Sequence, residues 1–242
     1  EMEQKVWSDA KVWNLLNDEY VKVALYGDVN TIELPAEERY KDKDGREIYE
    51  LGRANLDFQA EKFSKALSDW VSKGNTLITI GTGSSWAVNT KFVKEKLIKV
   101  VSDSTTLTSR KPYVDAGENI GREALGGVFL KGDMDLSHPL GFGYDQSRVA
   151  LYKNNEVWLA PSKSAYGTVI DYAEKPHLDG YISEKNQREF LPKSASLIVS
   201  PKGMGRVIMF ADNPNFRGIH YGMNRLFLNA IFLGNHIEVP SE

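Results

Sequence analysis

Apolar and polar positions alternate along this chain with two different periods, and the change of period marks its elements. The clearest case lies between residues 202 and 233. Gly203 and Gly205 punctuate a turn, and Arg206-Val-Ile-Met-Phe-Ala211 is a short apolar run of strand length. Such a run is the kind buried on both faces of a parallel sheet. Asp212-Asn-Pro-Asn215 closes it as a polar loop. From about Gly222 the apolar residues Met223, Leu226, Phe227, Ala230 and Ile231 recur at helical spacing, and Gly234-Asn235 predicts the stop. Strand, loop and helix in this order place the loop at the strand's C-terminal end, the edge where open α/β sheets bind ligands.

The same reading extends along the chain. Ser8 or Asp9 caps a helix reaching Leu16, and Tyr20-Val-Lys-Val-Ala-Leu-Tyr26 alternates as a strand. Residues 29–50 read as a loop with a small hairpin, and 55–73 as a long helix ending at Gly74. Thr76-Leu-Ile-Thr-Ile80 is a buried strand. Gly81-Thr-Gly-Ser-Ser85 turns into a helix expected to start near Trp86 and run to residue 100. Residues 102–121 form an exposed polar tract. Short strands are expected at 126–130, 148–152 and 156–159, the last two as a hairpin over Asn154-Asn155. A marginal strand at 168–172 and a firm one at 194–200 complete the set.

Composition narrows the function classes. The 242 residues carry 41% hydrophobic and 26% charged positions, ordinary for a globular chain with a substantial core. A net charge of −3 argues against a nucleic-acid or polybasic-membrane partner. No apolar run approaches the roughly 20 residues that span a bilayer. Zero cysteines exclude disulfides, thiolate nucleophiles and cysteine zinc sites.

Two resemblances emerge from longer stretches. Leu67-Ser-Asp-Trp-Val-Ser-Lys-Gly-Asn-Thr-Leu-Ile-Thr-Ile-Gly81, Asp135-Leu-Ser-His-Pro-Leu-Gly-Phe-Gly-Tyr144, the run from Gly203 to Gly218 and Asn224-Arg-Leu-Phe-Leu-Asn-Ala-Ile-Phe232 resemble the C-terminal region of bacterial zinc carboxypeptidase-family proteins. That resemblance implies a class I glutamine-amidotransferase-like domain over residues 66–242. The expected fold is α/β, a mainly parallel open sheet with helices on both faces, flavodoxin-like. Residues 1–65, through Trp7-Ser-Asp-Ala-Lys-Val-Trp13, Glu19-Tyr-Val-Lys-Val-Ala-Leu-Tyr26 and Leu56-Asp-Phe-Gln-Ala-Glu-Lys-Phe63, resemble part of the thioredoxin-like domain of thiol:disulfide interchange proteins, without its CxxC. The two pieces meet near 64–67, as a natural or artificial fusion would, and the first is expected to complete the sheet of the second. The resemblances imply an exported protein, periplasmic or at the cell surface, with a peptidase domain or another protein domain as partner.

Candidate chemistry is sparse. His138, His177, His220 and His236 have no acid or second histidine at zinc-peptidase spacing, so no metal and no cofactor is expected. An amidotransferase needs a cysteine on a strand-to-helix elbow. At that place the chain offers only Thr82, Ser84 or Ser85, with His220 as a base and Asp212 behind it. Against this stands helix capping, the commoner use of serine and threonine at a turn. The same glycine turn could cradle a phosphate, but it lacks the Walker lysine. The candidate binding residues lie in two polar-aromatic loops: Asp212, Asn213, Asn215 and Arg217 in one, His138 and Tyr144 in the other. Arg217 either grips a carboxylate or ties loops together through Asp212 and backbone carbonyls. The expectation is a non-catalytic accessory or binding domain. The alternatives are a hydrolase at the 81–85 turn and an inactive thioredoxin-like fragment.

Overall fold

The computed structural model describes residues 31–33, 40–41, 47–48, 50–98, 112–117, 121, 124–218 and 220–238. The expected helix after Ser8, the strand at 20–26 and most of the 102–121 tract lie outside them. The chain divides into two compact units between Phe63 and Ser64. In the first, β1 (Thr31–Glu33) pairs antiparallel with β4 (Glu50–Gly52), and β2 (Tyr40–Lys41) with β3 (Glu47–Ile48). Helix α1 (Arg53–Ser72) runs across the boundary.

The second unit is built on one mixed sheet. Its strands are β5 (Thr76–Ile80), β6 (Val128–Met134), β7 (Arg148–Lys153), β8 (Thr168–Gly180), β9 (Ala195–Lys202) and β10 (Gly205–Phe210). They lie in the order β5-β10-β9-β8-β6-β7 and curl into a half-barrel. Only β5 and β10 are parallel, in register from Thr76 with Arg206 to Ile80 with Phe210. The other four pairings are antiparallel. The α-helices of this unit whose bounds are described are few, the end of α1, the short α2 (Thr82–Asn89) and α3 (Tyr221–Leu233), beside short 3-10 and π turns.

The parallel open sheet with helices on both faces is therefore not the fold. The physical reason lies in the connections. A parallel neighbour needs a crossover of a dozen or more residues, whereas an antiparallel one needs only a turn. β9 reaches β10 through Gly203-Met204 alone, and the 135–147 link between β6 and β7 carries no crossover helix. The apolar run in β10 is buried on both faces without a fully parallel sheet around it. Val207 and Met209 join Leu67, Val71 and Ala87 in one cluster. Ile208 and Phe210 join Leu130, Leu151, Met223, Leu226 and Ala230 in the other. Each fully buried leucine or isoleucine of this kind contributes about 1.5–3 kcal/mol over an exposed one.

Other boundaries move as well. β8 is a 13-residue strand where only 168–172 is expected. Its register against β6 jumps, Gly132 facing Tyr172 but Leu130 facing His177, so extra residues bulge out and erase the alternation. Residues 156–159 do not form a hairpin with β7, which pairs with β6. Leu159 instead makes single bridges to Leu97 and Ala195. α2 starts at Thr82, so the expected glycine turn is already its first helical turn. The β9–β10 turn is as read from Gly203 and Gly205. Gly203 has φ +61°, and a Cβ at Gly205 would run into the backbone oxygens of Val71 and Asn75 at the end of α1.

Candidate functional site

The curl brings the ends of β7 and β10 together, although three strands separate them in the sheet. β7 alternates Val149, Leu151 and Lys153 inward, so a lysine occupies a core position. β10 ends at Phe210, and Asp212 comes two residues later. Both Lys153 and Asp212 are fully buried, with Nζ 3.1 Å from Oδ1. Lys153 Nζ also donates to Val157 O at 2.7 Å and lies 4.5 Å from the centre of the Trp158 ring. The second carboxylate oxygen, Oδ2, accepts from the Tyr172 hydroxyl at 2.7 Å and from Ser196 Oγ at 2.6 Å. A buried ion pair persists where its remaining lone pairs and protons find such partners. Asn155 finishes the closure, donating through Nδ2 to Ala211 O at 3.0 Å.

Burial sets the electrostatics of this cluster. Desolvation pushes the Lys153 ammonium below the usual lysine range, and the Asp212 carboxylate opposes it. Desolvation, and after it the neighbouring Asp212, pushes the Tyr172 phenol well above the ordinary tyrosine range. Local sequence does not reveal this cluster, because its members are 16 to 59 residues apart. One signal is present: Lys153 sits in phase with Val149 and Leu151.

The hydroxyl turn is packed for structure. Ser84 is fully buried, donates to Phe210 O at 2.8 Å and lies 2.9 Å from Thr79 Oγ1. Gly81 N donates to the same Phe210 oxygen at 2.8 Å, and the Ser84 and Ser85 amides donate to Gly81 O. Three amides that a phosphate cradle at this turn would use are therefore already committed within the protein. Ser85 Oγ accepts from Asn89, Thr82 is exposed, and no side chain caps the helix.

His220 stands elsewhere. Its ring meets Phe129 edge-on at 5.4 Å, beside Tyr152, which stacks on Phe216 at 4.1 Å. Burial lowers its proton affinity, and among the described residues its buried Nδ1 has no hydrogen-bond partner. Among the described residues no carboxylate orients the imidazole through Nδ1, and no hydrogen bond joins the ring to Thr82, Ser84 or Ser85.

The loop residues have individual roles. Asp212 is the buried anion, and its partner is Lys153 rather than Arg217. Asn213 Oδ1 accepts from the Asn215 amide at 2.9 Å, forming a turn. Arg217 is exposed, has φ 51° and stacks over Phe216 at 5.1 Å. His138 Nδ1 accepts from the Leu140 amide at 3.1 Å, capping a 3-10 turn at Pro139–Gly141. Burial lowers the proton affinity of His138, and Asp135 opposes that effect. The Tyr144 hydroxyl donates to Gly222 O at 2.7 Å. Arg225 donates to Gly143 O and Asn229 to Leu140 O, so this loop is riveted to α3. Asp133 pairs with Arg148 at 2.5 Å, and among the described residues no group of three or more metal-ligating side chains converges.

The open face of α3 carries large apolar side chains. Met223, Leu226 and Ala230 face the core, while Tyr221, Leu228 and Phe232 are 78%, 48% and 66% exposed. With Arg225 they trace one stripe at spacings of four, three and four. Phe142, 73% exposed, belongs to the loop fastened to the same helix. No described helix is long and apolar enough to cross a membrane. Compared with family models, with characterised proteins and with solved structures, the chain matches none.

Proposed function

We propose that this chain is a non-catalytic accessory domain that binds another protein domain, of the kind attached to exported bacterial zinc carboxypeptidase-like proteins. The observation that carries the non-catalytic part is the engagement of the reactive groups. The Ser84 hydroxyl is sealed in bonds to Phe210 and Thr79, and the His220 ring sits against Phe129 with, among the described residues, no carboxylate on Nδ1. General acid–base chemistry needs a hydroxyl within reach of its base, and among the described residues neither group has that partner.

The binding part is supported by the outer stripe of α3. Contiguous exposed aromatics and leucine on one helix face mark an interaction surface more often than a solvated one. Tyr and Phe flanking one Arg is the composition that interface centres favour. Arg225, Leu228 and Phe232 of the stripe, and the Phe142 loop, fall within the segments that resemble the carboxypeptidase-family region, and a peptidase domain is therefore the partner proposed.

The test is a titration of the full chain with the catalytic domain of a zinc carboxypeptidase from that family. The reading expects micromolar binding, as for an interdomain contact supplied in trans, and loss of binding in Phe232→Asp. Absence of binding, or binding indifferent to Phe232→Asp and Tyr221→Ser, would overturn it.

A further inference from the structure

Asp212 follows the last strand of the sheet by two residues and precedes the segment 213–218 that leads to His220 and α3. That segment lies along the outer aromatic face of the β6–β7 pair. Phe216 stacks on Tyr152 and the His220 ring meets Phe129, which is itself paired with Tyr152 at 5.2 Å. Within the segment, Asn215 N donates to Asn213 Oδ1 and Gly218 N to Asn215 O. Pro214 is buried, while Arg217 takes a left-handed backbone that non-glycine residues adopt only when their surroundings impose it. The buried Nδ1 of His220 has no hydrogen-bond partner among the described residues. The Asn213–Asn215 and Asn215–Gly218 hydrogen bonds are internal to the segment, and among the described residues the hydrogen bonds that tie it to the rest of the protein lie at its ends. The upstream end is Asp212, held by Lys153, Tyr172 and Ser196. The downstream end is the first turn of α3, held by Tyr144 on Gly222 O.

We propose that the Lys153–Asp212 pair is a clasp that holds segment 213–218 as a strap over Tyr152 and Phe129, so that opening the pair frees the strap and bares these aromatic rings. The clasp is suited to such control because it joins strands that the sheet itself does not pair. Backbone hydrogen bonds hold β9 to β10 and β6 to β7 whether or not the clasp is closed. Losing the pair therefore loosens the strap before it loosens the sheet. The released face, two aromatic rings and an imidazole, would accept an apolar or aromatic side chain in place of Phe216.

The experiment is hydrogen exchange with peptide-resolved mass spectrometry on the full chain, beside acylation footprinting of Lys153. Asp212→Asn keeps the shape and both hydroxyl bonds while removing the charge. The strap amides are expected to exchange about tenfold faster, with Lys153 becoming acylated and the β8–β9 amides unchanged. Phe216→Ala, which loosens the strap without touching the pair, is expected to speed strap exchange and leave Lys153 protected. If Asp212→Asn does not fold, Tyr172→Phe weakens the same carboxylate by one bond and should accelerate the same peptides by a few-fold. Strap exchange unchanged while Lys153 becomes labelled would overturn the proposal. So would acceleration spread equally over β8, β9 and the strap.

Discussion

Lys153→Met is the perturbation that separates a structural ion pair from a dispensable one. Methionine matches the length and apolar stem of lysine but leaves the buried Asp212 carboxylate, among the described residues, with the Tyr172 and Ser196 hydroxyls alone. Removing one partner of a buried pair costs about 3–5 kcal/mol, because the remaining charge has no counter-ion. Val157 O also loses its donor, about 1 kcal/mol of that cost. Asp212→Asn should cost less, about 1–2 kcal/mol, since burial already favours the uncharged form of Lys153. In the double variant neither charge remains, and the amide oxygen still accepts from both hydroxyls. Its expected cost is about 1–2 kcal/mol, well below the sum of the singles. With a urea dependence of about 2 kcal/mol per molar, Lys153→Met lowers the unfolding midpoint by about 2 M. Urea titration monitored by circular dichroism reads all four proteins of the cycle. A loss under about 1 kcal/mol for Lys153→Met, or a double variant equal to the sum of the singles, would refute the reasoning.

Other consequences are simpler. Above pH 10 the unfolded chain loses the Tyr172 proton while the folded chain keeps it, so stability present below 10 is lost as pH rises; Tyr172→Phe should flatten that decline in a pH series of urea midpoints. Lys153 acts oppositely: its lowered folded pKa makes stability rise as pH climbs from that value towards 10.5, and Lys153→Met should remove the rise. Gly205→Ala forces a methyl group into the Val71 and Asn75 backbone and should destabilise by about 1–3 kcal/mol in the same assay, with Gly74→Ala, which meets open space at its own positive φ, as the contrast for backbone strain alone. Ser84→Ala should cost only about 1 kcal/mol, because Gly81 N still satisfies Phe210 O.

Elements with an undisturbed period are legible in the sequence. β5, β9, β10, α1 and α3 lie within a few residues of their expected places, because each buries one phase of a helix or strand. The sheet's direction is not legible. A run such as Arg206-Val-Ile-Met-Phe-Ala211 reads the same beside a parallel or an antiparallel neighbour, and its burial on both faces comes from two side-chain clusters. β8 reads short because a bulge containing Lys175 and Pro176 breaks its alternation. The buried cluster eludes the sequence for a different reason. Lys153 and Asp212 meet only because the sheet curls, and curl is a property of six strands together. The polar loop residues His138, Asn213 and Tyr144 lie in the expected loops but are bonded to backbone that builds or anchors those loops. A short polar side chain in a turn is as able to build the loop as to serve a ligand.

The measurement that tests the non-catalytic account most directly is intact-mass analysis of the full chain after incubation with a fluorophosphonate, an electrophile that modifies activated serine and threonine hydroxyls. The account predicts an unmodified mass, since the Ser84 hydroxyl is buried in bonds to Phe210 and Thr79 and, among the described residues, no imidazole is bonded to the 82–85 turn. A single stoichiometric adduct on Thr82, Ser84 or Ser85, lost in His220→Ala, would contradict it.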